Sequence, residues 1–469
     1  MISLSGIMNM AAGSMSAEQQ SSAVAGQNLA NVNNPAYAEE QVQVQDNPAL
    51  QTTFGQEGQG VNAVAITSLR NSLLDAQIAA EGGVTGSLTS QQNALQNAEA
   101  YLDEQISSSS SSDGTTASAN GLTADLSGFF SSLQNLSLNP SNISDRQAVV
   151  QSAQQLTEQF NQVSSGLSTV TSGLNSDIQS EVASSNQDMS QIAGLNQQIV
   201  VADNAGGNAN TLVDQREKLI EDLSSKANIT TSTQSNGAIN ISIGGVTMVS
   251  GSATPDSLGT YTDSNGNLQI KAQTAGTDLT LTSGSIEGDI TARDGTIATL
   301  QSSLNTLASQ LITQVNAVYK NGVDLNGNSG ALFFSGSTAA DISVNSTVVS
   351  DPTTFQAGAT SAAGDNTVVN SMAALANQSL SALNNQTLSQ SYSATVSSFG
   401  ASLQSVNEQL DNSSSVSQML TQQRSTASGV NTDTEMTNLL QYQKAYEASA
   451  ELVTTINQMM QAVINMDQG

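Results

Sequence analysis

The stretch LLQYQKAYEASAELVTTINQMMQAV, residues 439–463, decides the fold. Leu439, Tyr442, Tyr446, Ser449, Val453, Ile456, Met460 and Val463 follow alternating steps of three and four, a heptad seam with one polar member. A second stripe, Leu452, Met459 and Met466, widens the apolar face. Gly429 marks a break before it, and Thr432 or Asp433 is the expected cap. A helix over 433–466 is about 50 Å long. Nothing inside that segment covers its seam, so it needs a partner. At the other end of the chain Leu4, Met8, Ala11 and Met15 share one helical face, with Leu29 near its close, and Pro35 ends the helix. Small residues such as Ala11, Gly13, Ala23 and Gly26 allow another helix to come close. The two ends are expected to pair with each other or with neighbouring copies; a helical hairpin serving a private core is the competing reading.

Working inward, helical spacing recurs from Leu69 to about Ile106, closing in the Ser107–Ser112 run, then from Leu122 to Leu138 and from Arg146 to Ile199. Leu212–Leu223 is a shorter helix, and Ile297, Leu300, Leu304, Leu307, Leu311 and Val318 repeat the three-four step. Between Ile229 and Ile286 the period falls to two, in Ile239-Ile241-Ile243, Val246-Met248, Leu268-Ile270 and Leu279-Leu281. Asn236-Gly237, Gly244-Gly245 and Asn265-Gly266 punctuate these runs as hairpin turns. The expected fold is mainly α, a long helical-bundle or coiled-coil stalk formed by both chain ends with a small β-rich insertion in the middle. Its expected parts are a terminal coiled-coil domain (1–36 and 432–469), a helical stalk domain (37–228 and 287–431) with a short irregular excursion at 335–367, and a β-hairpin insertion (229–286).

Composition removes whole chemistries. The 469 residues include no Cys, His or Trp. That excludes Ser-His-Asp and Cys-His nucleophiles, thiol redox centres and zinc sites of the usual ligand set. Charged residues make up 10% of the chain against the usual quarter, and the net charge is −29. Ten basic residues scattered from Arg70 to Lys444 make no cationic face, so neither nucleic acid nor an anionic membrane surface is an expected partner. Met1–Ala12 carries no basic residue and no apolar run approaches the roughly 20 residues of a span, so no cleaved signal peptide is expected.

The remaining candidate sites read as structure. Asp324-Asn326-Asn328 and Asp263-Asn265-Asn267 imitate the start of a calcium loop, but Ser329 and Leu268 stand where Gly is needed at position six, and Ser335 and Thr274 where Glu is needed at twelve. Both are expected to be Asx turns. The carboxylate pairs Glu39-Glu40, Asp103-Glu104 and Glu221-Asp222 point apart on any helix or strand and are expected on solvated faces. Asp214-Gln215-Arg216-Glu217-Lys218 is expected to be a helix face with ion pairs. No catalytic, cofactor-binding or metal-ligating residue is assigned, and no enzyme activity is expected.

Several segments carry a resemblance. Gln27-Asn28-Leu29-Ala30-Asn31-Val32-Asn33-Asn34-Pro35-Ala36-Tyr37 resembles the N-terminal motif of bacterial flagellar axial proteins, with Asn34 and Ala36 in place of Thr and Gly. Phe129-Phe130 with Leu133, Leu136, Pro140, Arg146 and Phe160 resembles the helical block of the flagellar hook-associated protein 1 family. So do Asn210-Thr211-Leu212-Val213-Asp214-Gln215-Arg216-Glu217 and the set Arg293-Asp294, Asn316, Gly322, Asp324, Asn326-Gly327 and Phe333-Phe334, where Tyr319 stands at a frequent His. Ser428-Gly429-Val430-Asn431, Glu435, Leu439, Tyr442-Gln443 and Tyr446 are similar to its C-terminal entry. Larger members carry an outer domain after the Phe-Phe motif; here only 335–367 occupies that place, as in a compact member.

The resemblance implies a structural junction protein between hook and filament, outside the cell, secreted by the flagellar type III apparatus without signal cleavage. The implied partners are self-copies in a helical or annular assembly, hook protein below, the second junction protein above, and a cytoplasmic export chaperone on the C-terminal helix. The implied terminal ends are disordered before assembly. The residues expected at the assembly and chaperone interface are Leu4, Met8, Ala11, Met15, Leu29, Leu439, Tyr442, Tyr446, Val453, Ile456, Met460 and Val463. Alternative readings are the second junction protein itself and a secreted adhesin on a helical stalk.

Overall fold

The computed structural model describes residues 4–52, 55–102, 121–264 and 266–467. Helix α1 (Leu4–Ala30) ends as expected before Pro35. The chain then forms β1 (Glu40–Asp46), β2 (Leu50–Thr52), β3 (Gly55–Glu57) and β4 (Val61–Ser68). β1 and β4 pair antiparallel from Glu40↔Ser68 to Asp46↔Val61, with a register shift between Gln43 and Val44, and β2 and β3 form a small hairpin at the tip. This ribbon occupies ground where the sequence reading placed helical stalk. Its cause is the strict alternation in Gln41-Val42-Gln43-Val44-Gln45, a strand period. The ribbon lies on α1. Gly60, at φ +80°, makes that contact possible, because a Cβ there would lie 2.6 Å from Met10 Cγ.

The stalk begins with α2 (Ser72–Leu102), α3 (Leu122–Leu138) and α4 (Ile143–Asn204). The Ser107–Ser112 run and the Asp103-Glu104 pair lie outside the described residues. α4 has 62 residues and is therefore about 93 Å long. Its first turn is capped by Asn142, whose side chain accepts from the Ser144 amide at 2.9 Å. Helix α5 (Asn210–Lys226) leads into β5 (Ile229–Thr233), β6 (Ile239–Ile243), β7 (Val246–Val249), β8 (Leu258–Thr262) and β9 (Leu268–Ala272). These make one antiparallel sheet ordered β5-β6-β7 and a separate β8-β9 hairpin. Leu279 and Leu281 belong to no strand, although the Leu279 amide still bonds the Ile270 carbonyl at 2.9 Å.

The chain returns through α6 (Ser285–Thr291), a π-helical segment Ala292–Ile297 and α7 (Ala298–Tyr319). The expected excursion holds β10 (Phe334–Ser335), β11 (Ser343–Val344) and α8 (Ser346–Ser350). Helices α9 (Thr367–Ala374), α10 (Leu388–Ser428) and α11 (Thr432–Asp467) complete the chain. α10 opens with a capping box between Thr387 and Gln390. α11 is capped by Asn431, whose Oδ1 accepts from the Asp433 and Thr434 amides at 3.0 and 3.2 Å. The expected cap at Thr432 or Asp433 is thus one or two residues late, since the oxygen must reach the second and third helical amides.

Two cores are buried along α4. The larger gathers α2, α3, the first half of α4, α7, α9 and α10. There the two Phe-Phe motifs meet: the Phe129 ring lies 5.7 Å from Phe334 and 6.0 Å from Phe333, and Phe333 lies 5.2 Å from Tyr319. Each fully buried ring or leucine contributes about 1.5–3 kcal/mol. Arg146, 2% exposed, closes one end by donating to the carbonyls of Pro140 (2.7 Å) and Phe355, with its guanidinium over the Phe355 ring. The second core gathers Ile178–Ala193 of α4, α5, the five strands of the insertion and Ile286.

Candidate assembly interface

Helix α11 packs on α1. Small residues let the two helices approach. Ala11, Ala17, Ser21, Val24 and Ala25 of α1 are buried. Among the residues expected at the interface, Ala11 and Ile456 are buried, while Leu4, Met8, Met15, Leu29, Leu439, Tyr442, Val453 and Met460 are half-buried. Tyr446 and Val463 are exposed, so the seam as read from spacing does not coincide with the face that α11 turns to α1. The inner path runs through Tyr442, Ala445, Ser449, Val453, Ile456 and Met460, one residue from the expected seam at Tyr446. A 3.6-residue helix drifts against a strict heptad, and two helices cannot enclose a face this wide.

What remains outside is apolar. Leu440, Leu452, Met459, Val463 and Ile464 are between 43% and 57% exposed, and Met466 is 81% exposed. Leu452, Met459, Val463 and Met466 fall along one flank, at spacings of seven, four and three. These side chains form an exposed apolar stripe, the kind of surface that marks interaction sites.

The pair joins the stalk through a buried polar knot. Asn28, 1% exposed, donates from Nδ2 to the Glu40 carbonyl (2.9 Å) and to Glu435 Oε2 (3.2 Å). Its Oδ1 accepts from the Tyr37 hydroxyl (2.8 Å) and the Glu40 amide (3.0 Å). Beside it Arg70 donates to the Ala36 carbonyl (2.6 Å), Asp214 Oδ1 (2.8 Å) and Asp75 Oδ2 (3.0 Å). Arg424 of α10 pairs with Glu221 and lies 3.7 Å from Asp75. The exit of α10 is tied in by the Glu39 amide to the Ser428 carbonyl (2.8 Å) and by the Ser428 hydroxyl to the Leu69 carbonyl (2.9 Å).

Burial raises the Glu40 carboxyl above the usual carboxylate range, reinforced by the charge of Asp214; burial likewise raises Asp214, opposed by Arg70. The Tyr37 hydroxyl is pushed up by burial and by the charges of Glu40, Asp214 and Glu435. Glu40 is 3% exposed, so the expectation that Glu39-Glu40 forms a solvated face fails at Glu40. The Asp214–Lys218 cluster carries the expected exposed ion pair, Lys218 with Asp222 at 3.5 Å, but its Arg216 is buried and donates to Asn196 (3.1 Å), the Gly237 carbonyl (2.8 Å) and Glu217 (3.3 Å). Sequence reasoning quoted Asn28 and Tyr37 in a motif without a role, and passed over Arg70, Asp75 and Arg424. The available signal was the scarcity of cations, since an Arg kept in a chain with so few basic residues is expected to pair with the acids around it.

Among the described residues no group of three or more Asp or Glu converges to hold a metal ion. The Asp324 carboxylate is used by its own turn, accepting from the amides of Asn326 and Asn328 (2.8 Å each) and from Asn328 Nδ2 (2.9 Å). Asp263 accepts from the Asn267 amide in a similar turn, whose Asn265 lies outside the described residues. No described helix is long and apolar enough to cross a membrane.

Comparison with known proteins follows the same division of the chain. Residues 112–334 match the family model described as the flagellar hook-associated protein FlgK helical domain, and residues 421–466 match that of the flagellar basal body rod FlgEFG protein C-terminal. The flagellar hook-associated protein 1 of Bacillus subtilis is 28% identical over 62% of this chain and 65% of its own length. Over these segments the chain is similar to the flagellar hook-associated protein 1 family. The member from Salmonella typhimurium is 33% identical over 34% of this chain and 31% of its own. The chain thus spans less than two thirds of the length of these relatives. The solved flagellar hook junction protein FlgK of Burkholderia pseudomallei is 28% identical, with a TM-score of 0.49 over 55% of this chain and 46% of that one. The matched helical block runs from α3 through the β insertion to the end of α7 and Phe334, and the matched C-terminal segment is the end of α10 with nearly all of α11.

Proposed function

We propose that this chain is a structural, non-catalytic junction subunit of the bacterial flagellum, joining hook to filament. The observation that carries this reading is the apolar flank of α11, Leu452, Met459, Val463 and Met466, left open by a pair of only two helices. Copies of the chain side by side would cover it, as hook-associated relatives would require of a protein placed between two other assemblies. In this reading residues 1–36 and 432–469 are the assembling unit, 37–228 and 287–431 the stalk, and 229–286 a lateral β insertion. Self-copies meet through the terminal pair, with hook protein below and the second junction protein above. The chain reaches its place outside the cell through the flagellar type III apparatus, and a cytoplasmic chaperone shields the α11 flank before export.

Deleting the gene tests the role directly. Bare hooks with filament subunits leaking into the medium are the expected result. Normal filaments on the deletion strain would contradict it.

A further inference from the structure

Of the helices described, α11 packs closely only on α1, and α1 packs otherwise chiefly on β1 and β4. The direction in which the pair leaves the stalk must therefore be set where these elements meet, at the Asn28 knot. The four bonds of Asn28 use every hydrogen-bonding capacity that an amide has on its two donor protons and two acceptor lone pairs. Its orientation is fixed chemically, because the Glu40 N–H requires an acceptor and the Glu40 carbonyl a donor. One side chain thereby mimics a neighbouring strand to the start of β1, holds the turn through Tyr37, and reaches α11 through Glu435. That last bond is the direct side-chain tie between this knot and α11, and Glu435 is only 4% exposed.

We propose that Asn28 is a positioning residue, which fixes the direction of the α1–α11 pair on the stalk while Arg70 fastens the adjoining turn to α2 and α5. The path is continuous. It runs from Glu435 to Asn28, to the Tyr37 turn, from the Ala36 carbonyl to Arg70, and on to Asp75 and Asp214. Asp75 in turn faces Arg424 on α10. No other residue type substitutes freely at position 28. Asp loses both donors and sets a charge between Glu40 and Glu435. Ala leaves four buried partners unsatisfied, each of which then exacts its desolvation cost. The proposal concerns how the pair is held on its own chain, so it stands or falls separately from the junction role.

The absence of Cys makes the test clean, since paired spin labels can be placed on introduced cysteines alone. One pair, Gln443→Cys on α11 with Gln215→Cys on α5, spans the knot. A second, Gln215→Cys with Gln404→Cys on α10, lies wholly in the stalk. Pulsed dipolar spectroscopy should give a single narrow distance across the knot in the otherwise unchanged chain. Asn28→Ala should at least double the width of that distribution and leave the stalk pair unmoved. Glu435→Gln, which keeps an acceptor, should preserve the narrow distance, and Glu435→Ala should broaden it. A cross-knot distribution as narrow in Asn28→Ala as in the parent would overturn the proposal. So would a parent distribution already broad, or a stalk pair that broadens equally, which would show a general folding role.

Discussion

At the level of Phe129 the stalk surrounds each ring with others from α3, α7 and the following turns, and Phe129, Phe333 and Phe334 are fully buried. At the level of Val453 two helices face each other, Ile456 alone on α11 is fully covered, and Leu452 and Met459 stand in solvent. Both regions are helical and both draw on the same polar, weakly charged composition. They differ in how many elements share an apolar face. A core enclosed by several helices is complete within one chain, whereas a pair of helices carrying a face wider than their contact is half of an interface. The stalk closes its apolar faces within one chain, whereas the terminal pair leaves an apolar flank open, which the proposed assembly would cover.

The sharpest break in that comparison is Val453→Asp with Ile456→Asp. Two charges placed against α1 without partners should abolish the pair altogether, because burying an unpaired carboxylate costs more than two helices can return. Limited proteolysis should then remove α11 and α1 while the stalk survives intact, and cells carrying the variant should not swim. Normal swimming would contradict the division. Phe129→Ala strikes the other side: a loss of about 3–5 kcal/mol is expected in the stalk's own unfolding transition, with the proteolytic sensitivity of α11 unchanged.

A smaller effect sharpens the description of the stalk. Asp289 on α6 sits between the two cores, bonded by the Ser90 hydroxyl of α2 and facing Asp177 and Glu181 of α4, with Arg293 of the π-helical segment nearby. Burial, with the charges of Glu181 and Asp177, pushes its carboxyl up to about 7. The folded stalk therefore keeps a proton that the unfolded chain gives up near 3.8. The sign follows: this contribution to stability is fully present below the unfolded value and is lost as pH rises through about 7, at up to about 1.4 kcal/mol per pH unit. Denaturant melts at a series of pH values should show that decline in the parent and a flatter line in Asp289→Asn. Equal slopes would show that Asp289 does not carry the dependence.

Much of this organisation was legible in the chain itself. Helices α3, α4, α5 and α7 followed from three-four spacing because their apolar residues face the buried cores, and α11 followed from the same spacing along the face it turns to α1 and the flank beside it. The β insertion followed from a period of two punctuated by Asn-Gly and Gly-Gly. The ribbon over 40–68 was passed over even though Val42 and Val44 alternate with Gln. Its buried side is supplied by α1 and its other side is open, so the strand signal is weak in apolar content. The knot was harder still. Nothing in the spacing of Asn28, Arg70, Asp214 and Glu435 brings them together; only the packing of α1, α5 and α11 around one turn does. Tyr446 was misplaced by one step because a heptad template was applied to a helix that no supercoil holds to 3.5 residues per turn.

Amide hydrogen exchange on the isolated chain tests most directly whether the terminal pair is a unit left incomplete without its neighbours. Residues 4–30 and 432–467 should exchange at least about a hundredfold faster than the amides of α3, α4 and α7. Protection at the two ends equal to that of the stalk would mean that the pair is complete in one chain, and the interface would have to be sought elsewhere.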